Sequence, residues 1–339
     1  MNANKQHKAI SFTPDLLTGR LSEDSAKQYF SRFGWFAFAL FLINSLVQVA
    51  VVNLVYYFFP TLYSHYLFSN LLSIIPLYCV ALPIAYQILR SLPLVEPIKE
   101  KMSVKDFFSG FCICLALMIA GNYIANIFIM FFQNSMGSIL MNPVESAVSG
   151  TPWWVDLVFV VILAPMLEEI LFRGICTKRL LMVGEGYAII ISSAFFALFH
   201  GNFFQLFYAF ALGCFFSFIY VKTGKLIYSI IYHMLINFLG GFVAPLILEY
   251  IDVEAMLEGF SLTSENLFPL LALAWYELIT IGGAIVGIVI ICKKYKEFKP
   301  QSGLLPPPEG KGASCVMLNA GIAAAVAIFA LTLFGSIIP

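Results

Sequence analysis

The residues of this chain that could do chemistry stand inside apolar sequence. Leu167-Glu168-Glu169-Ile170-Leu171-Phe172-Arg173 sets two adjacent carboxylates and an arginine in an otherwise hydrophobic run. An ionisable side chain at mid-bilayer costs about 2.5–3.5 kcal/mol, so two neighbouring carboxylates there need a reason. Helical spacing separates their tasks. Glu169 and Arg173 are four apart, share a face and can pair. Glu168 points about 100° away from Glu169. It is left free to face a cavity and to serve as a general base. A structural salt bridge accounts for Glu169 and Arg173 but not for Glu168.

Two of the four histidines also lie in apolar runs. His200 closes Phe196-Ala197-Leu198-Phe199-His200. His233 and Asn237 are four apart in His233-Met234-Leu235-Ile236-Asn237 and present to one face. A lone intramembrane histidine is often only a helix–helix hydrogen bond. Two of them, with an asparagine in register and a free carboxylate, resemble a general base, a polarising imidazole and oxyanion donors. No GxSxG, HExxH or mid-span aspartate pair competes. Zinc held by Glu168, His200 and His233 stays open as an alternative, since three N/O ligands and a water suit a catalytic zinc.

The elements that position these residues must be membrane helices. Of 339 residues, 60% are hydrophobic and 11% charged, against about 25% charged in soluble domains. The expected fold is therefore all-α: a polytopic transmembrane helix bundle of about nine spans, an eight-helix core plus one C-terminal helix. A span takes roughly 20 apolar residues, and the runs fall at 33–59, 67–89, 107–132, 154–174, 187–203, 204–221, 226–248, 268–292 and 314–337. The chain divides into a polar N-terminal segment (1–32), N-terminal helices (33–149), a chemical core (150–248), an outer loop with the eighth span (249–298), a proline-rich linker (299–312) and a C-terminal helix (313–339). The seven cysteines form no CxxC pair and read as small buried hydrophobes. No basic stripe suggests nucleic acid. Residues 1–30 lack the short apolar core of a cleavable signal peptide.

Charge placement tests the span count. With a cytoplasmic N-terminus, the inner segments are 1–32, 90–106, 173–186, 222–225 and 293–313, and all 19 Lys and Arg residues fall within them. The 249–267 loop on the other side is acidic. A partition this clean follows the positive-inside rule and predicts an inner (plasma) membrane protein with its C-terminus outside. Asp156, near the outer end of its span, is expected to reach water, and Glu277 is a further intramembrane acid that lines the cavity or pairs with a helix.

The pattern Glu-Glu-x-x-x-Arg (168–173), Phe-x-x-x-His (196–200) and His-x-x-x-Asn (233–237) resembles the CPBP family of CAAX prenyl endopeptidases and bacteriocin-processing or immunity proteins, also called Abi. Gly213 and Tyr220-Val221-Lys222-Thr223-Gly224-Lys225-Leu226 also resemble its bacterial members. The likeness covers about 150–245. It implies an intramembrane endopeptidase with a cavity open to the cytoplasm. On the matching positions, Glu168 and His200 would activate water, His233 and Asn237 would stabilise the oxyanion, and Glu169 and Arg173 would hold the site together. The glutamate mechanism, with no cofactor, is the favoured form because no compact metal-ligand motif is present. The implied partners are the lipid bilayer and a peptide or protein substrate such as a bacteriocin precursor. The family's CAAX name does not fix a substrate here. A non-enzymatic immunity protein acting by binding is the alternative.

One tension follows from these boundaries. Glu168 and His233 fall roughly 8 Å from the inner ends of their helices, whereas His200 falls ~20 Å deep. They meet only if the fifth helix begins below the bilayer surface, tilts strongly or starts earlier.

Overall fold

The computed structural model describes residues 12, 14–15, 18–136, 140, 142, 151–251 and 264–335. Among them the regular elements are all helices, with one isolated bridge between Gly184 and Ser302. Among the described residues nine helices carry the fold. They are α1 (Glu23–Phe58), α2 (Tyr66–Leu89), α3 (Val104–Met136), α4 (153–180), α5 (Glu185–Phe199), α6 (Phe203–Thr223), α7 (Leu226–Leu248), α8 (Ser264–Lys294) and α9 (Ala320–Gly335). By length and composition α1, α2, α3, α6, α7 and α8 are long and apolar enough to cross a bilayer, while α5 and α9 are shorter. The chain is thus a multi-pass helical membrane protein. Most of the acidic 249–267 loop, part of the N-terminal segment and the last four residues lie outside the described residues.

The helices start and stop for local reasons. Ser22 caps α1 by accepting from Ser25 N, with Glu23 and Asp24 in the first turn where the helix dipole favours acids. Gly224 ends α6 at φ +61°, and a Cβ there would press on Ile98 O at 2.6 Å. α3 lies between α6 and α8, α5 packs on α6, and α9 lies along α1. Gly34 of α1 and Gly321 of α9 bring those two backbones together, and a side chain on either would collide with the opposite chain.

Three helices widen into π turns just ahead of a proline. The π segments Pro76–Ala81, Leu157–Leu163 and Leu239–Val243 each end two residues before one: Pro83, Pro165 and Pro245. A proline inside a helix donates no hydrogen bond and its ring presses on the carbonyl four residues back. An extra residue in the turn moves that carbonyl aside. A fourth π segment, Ile170–Thr177, has no such proline and begins directly after the two glutamates.

The helix levels resolve the depth tension. α4 does not end near residue 174. It continues to Leu180, which puts Glu168 about 18 Å from that end. His200 follows the 15-residue α5, so it stands about 22 Å from the same end. α7 begins beside Gly174, whose Cβ position is 3.5 Å from Leu226 Cδ1. It therefore starts about 9 Å short of the end of α4, and His233, seven residues on, reaches the same level. The connection between α4 and α5 simply projects beyond that between α6 and α7.

Residues 299–312 do not behave as a free linker. Leu305 N donates to Met182 O at 2.7 Å and Glu185 N to Gln301 O at 3.0 Å. Leu21 N donates to Pro306 O at 2.8 Å, and Lys311 pairs with Glu23 at 2.7 Å. The segment is a strap across the α4–α5 turn and the start of α1, and it leads into the docked α9.

Candidate active site

The α4 carboxylates diverge as their spacing predicts. Glu169 and Arg173 are both fully buried, and Arg173 Nη1 donates to Glu169 Oε1 at 2.8 Å. The other guanidinium arm donates to Gly213 O at 2.9 Å. A Cβ on Gly213 would stand 3.0 Å from the Phe196 ring and 3.3 Å from Arg173 Nη2, so glycine lets α6 approach. The guanidinium lies over Phe196 at 4.6 Å and Phe216 at 5.5 Å, which shields the ion pair and adds cation–π attraction. Glu168 keeps a 24% exposed side chain and faces a cavity of about 740 Å³.

His233 connects the two glutamates. Its Nδ1 lies 3.1 Å from Glu169 Oε1 and its Nε2 lies 3.8 Å from Glu168 Oε2. Glu169 Oε1 already accepts from Arg173, so the Nδ1 proton belongs to the histidine and Glu169 receives it. A neutral ring then turns the Nε2 lone pair to the cavity, and a protonated ring turns an N–H there. Phe216 stacks on the imidazole at 5.3 Å and Phe196 meets it edge-on at 5.5 Å. His200 Nδ1 lies 2.8 Å from Phe196 O, an acceptor only, so that nitrogen also carries the proton. Phe196 thus touches Arg173, His200 and His233 and holds their spacing.

Asn237 is tied by a consequence of the π turn. Ala164 N donates to Phe159 O, five residues back. The next acceptor in that register is Val160 O, which faces Pro165 and finds no N–H. Asn237 Nδ2 supplies one at 2.9 Å. One amide hydrogen is thereby committed and the other remains for the cavity that Asn237 lines.

Four of the six residues singled out in the sequence, Glu168, His200, His233 and Asn237, line this one cavity, and Glu169 and Arg173 buttress it from below. Among the described residues no three His, Cys, Asp or Glu side chains are placed to hold a metal ion. Glu277 is exposed on α8 and is not among the cavity residues. Asp156 does not reach for water. It is buried and accepts from Thr151 Oγ1 at 2.7 Å.

Sequence reasoning missed three contributors. Asn202 and Gln205 line the cavity where α5 turns into α6. Asn202 Oδ1 accepts from Gln205 N at 2.9 Å, and Asn202 Nδ2 donates to His200 O at 2.9 Å. The Asn-x-x-Gln spacing is a capping-box signal that was there to be read. Tyr78 borders an adjoining pocket with Glu168 and His200, and its buried hydroxyl has no hydrogen-bond partner among the described residues. Nothing in its local sequence distinguishes it.

All six residues fall inside the segment matched by a known family. Residues 150–239 match the family model described as type II CAAX prenyl endopeptidase Rce1-like. By this match the segment is similar to the CPBP family, as its motifs suggested. The chain is also 37% identical over 105 residues to the membrane-embedded CAAX protease MroQ of Staphylococcus aureus (strain USA300), over 29% of this chain. It spans 40% of the length of that curated relative. No solved structure matches. The matched segment covers α4–α6 and the first part of α7, while α1–α3, α8, the strap and α9 lie outside it.

Proposed function

We propose that this protein is an intramembrane endopeptidase in which Glu168 activates water against a peptide bond. The observation that carries this reading is His233, held by Glu169 with its second nitrogen 3.8 Å from a free Glu168 oxygen at the wall of a cavity. A water beside both groups loses a proton to Glu168 as its oxygen attacks the scissile carbonyl carbon. His200 Nε2 accepts the water's other hydrogen and fixes its direction. The carbonyl π pair moves to oxygen, where Nε2–H of a protonated His233 and the free amide hydrogen of Asn237 donate to it. Collapse breaks the C–N bond, and the proton held by Glu168 passes to the leaving amine. Glu169 and Arg173 act through His233, whose ring orientation they fix. The substrate is a membrane-associated peptide, with bacteriocin-like precursors among the candidates.

Peptide cleavage by the detergent- or nanodisc-embedded chain tests this. Glu168→Gln and His200→Ala are each expected to lose cleavage, and a chelator is expected to leave it unchanged. Full cleavage by both variants removes Glu168 and His200 from the reaction, and a wild-type chain that cleaves nothing but still protects against a bacteriocin returns the protein to a binding role such as immunity. Inhibition by a chelator that zinc reverses overturns the metal-free mechanism.

A further inference from the structure

The cavity has a direction. From Glu168 and His233 its wall runs through Ser73, Asn70, Ser69 and Tyr66 of α2 to Ser64 and Thr151. These last residues lie at the ends of α2 and α4 that are far from the lysines and arginines. The opposite face is assembled from the basic segments. Lys178 pairs with Glu96, Lys222 with Glu185 and Lys311 with Glu23, and Glu100 N donates to Thr223 O.

Between the site and that basic face the chain is packed solid. Leu171, Phe172, Arg173, Cys176, Thr177 and Leu180 of α4 are all at most 2% exposed. Across from them Ser192, Ser193 and Ser217 are fully buried and joined with Thr177 by hydroxyl hydrogen bonds of 3.0–3.4 Å. The far side is built differently. α5 is only 15 residues long and stops at His200 in a polar corner capped by Asn202 and Gln205. Non-helical backbone at membrane depth is tolerated where it lines a water-filled cavity. The walls from that corner outward carry hydroxyls and amides, and no Lys, Arg or Asp is among the described residues that line them.

We infer that the peptide reaches Glu168 from the face opposite the basic segments, which the positive-inside rule makes the extracytoplasmic face. This rests on the endopeptidase reading and reverses the cytoplasmic entrance that the family resemblance implied. The substrate class is then an uncharged, extended peptide segment already on the outer side, such as the outward end of a membrane-inserted or exported peptide. An uncharged segment suits walls that offer hydrogen bonds and no counter-charge beyond the site itself.

The test is thiol accessibility in the full-length chain with its seven native cysteines replaced, in a form verified to cleave peptide. Asn70→Cys and Ser73→Cys report the passage, and Ser103→Cys, exposed beside the basic α3 start, reports the other face. A membrane-impermeant maleimide added to intact cells is expected to label the first two, leaving Ser103→Cys for permeabilised cells, and a cleavable peptide added outside is expected to slow the labelling. Labelling of Asn70→Cys and Ser73→Cys only after permeabilisation overturns the inference while leaving cleavage, and hence the enzyme reading, intact. Labelling of Ser103→Cys in intact cells inverts the orientation and overturns it as well. Outer labelling in a chain whose Glu168→Gln variant cleaves at the full rate removes Glu168 as the base and leaves the passage standing.

Discussion

The two halves of α4 on either side of Glu168 are built to opposite rules. Toward Leu180, Glu169, Arg173 and Thr177 are sealed in a packed core, where Glu169 Oε1, both Arg173 Nη atoms and the Thr177 hydroxyl find partners and only Glu169 Oε2 and Arg173 Nε have no hydrogen bond among the described residues. Toward Trp153, the helix borders a cavity whose polar atoms face open space. Neighbouring carboxylates therefore serve different ends. Glu169 is spent on fixing His233, and Glu168 stays available. The buried pair is not a stability device as such, since desolvation offsets much of what such pairs gain. Its return is the orientation of one imidazole.

Breaking the sealed half should have the largest effect. Arg173→Met leaves Glu169 fully buried with no cation, and loss of one partner of a buried pair costs about 3–5 kcal/mol. Both the thermal midpoint and cleavage should fall. The double variant Arg173→Met, Glu169→Leu should recover most of the midpoint and none of the cleavage, as read by a thermal-shift assay beside peptide turnover. If the double variant cleaves, the pair does not position His233.

Changing the open half should separate the two readouts. Glu168→Gln keeps the shape and removes the base, so cleavage should drop by about 10²–10⁴-fold with the midpoint unchanged. A midpoint that falls as far as in Arg173→Met would show that Glu168 is structural and that the two halves do not differ.

How much of this contrast was legible in the sequence depended on whether a local rule held. Glu169 and Arg173 are separated by a regular i,i+4 step, and they pair. His233 and Asn237 share a face for the same reason and line one cavity. The end of α4 was misplaced because Lys178 and Arg179 read as a loop. Arg179 is instead buried, with its guanidinium donating to Leu89 O, Ile175 O and the Tyr86 hydroxyl. The contact between His233 and Glu169 was out of reach, because it depends on the level at which α7 starts. The π turns ahead of Pro83, Pro165 and Pro245 had a signal in the prolines, but their result, Asn237 serving the orphaned Val160 carbonyl, needs the neighbouring helix. Residues 299–312 were composed like a linker, and composition says nothing about backbone bonds to Met182 and Glu185.

A smaller effect is expected at the seam between the halves. Asn237→Ala removes the donor to Val160 O and leaves a carbonyl in the π turn unpaired, at a cost of about 1–3 kcal/mol. Asn237→Asp also removes that donor and places a carboxylate against the carbonyl. Both variants should lower the midpoint. Only if Asn237 also meets the oxyanion should turnover at saturating peptide fall further than the midpoint explains. Cleavage by Asn237→Ala at the wild-type rate, with a lowered midpoint, would confine this residue to tying α7 to α4.

The smallest effect belongs to the strap, which closes the basic face far from the cavity. Hydrogen bonds from Lys27 and then Lys311 pull the Glu23 carboxyl down to about 2. A carboxyl depressed from the usual range contributes to folding above its unfolded pKa, and that contribution is lost as pH falls through the folded value. The clamp is therefore complete at neutral pH and weakens only between roughly pH 4.5 and 2. It is solvent-exposed, and exposed ion pairs add little. Lys311→Ala should change peptide turnover less than about twofold between pH 5 and 9. A loss of turnover comparable to that of Glu168→Gln would mean that the sealed face takes part in substrate access, and the division of α4 into a closed and an open half would fail.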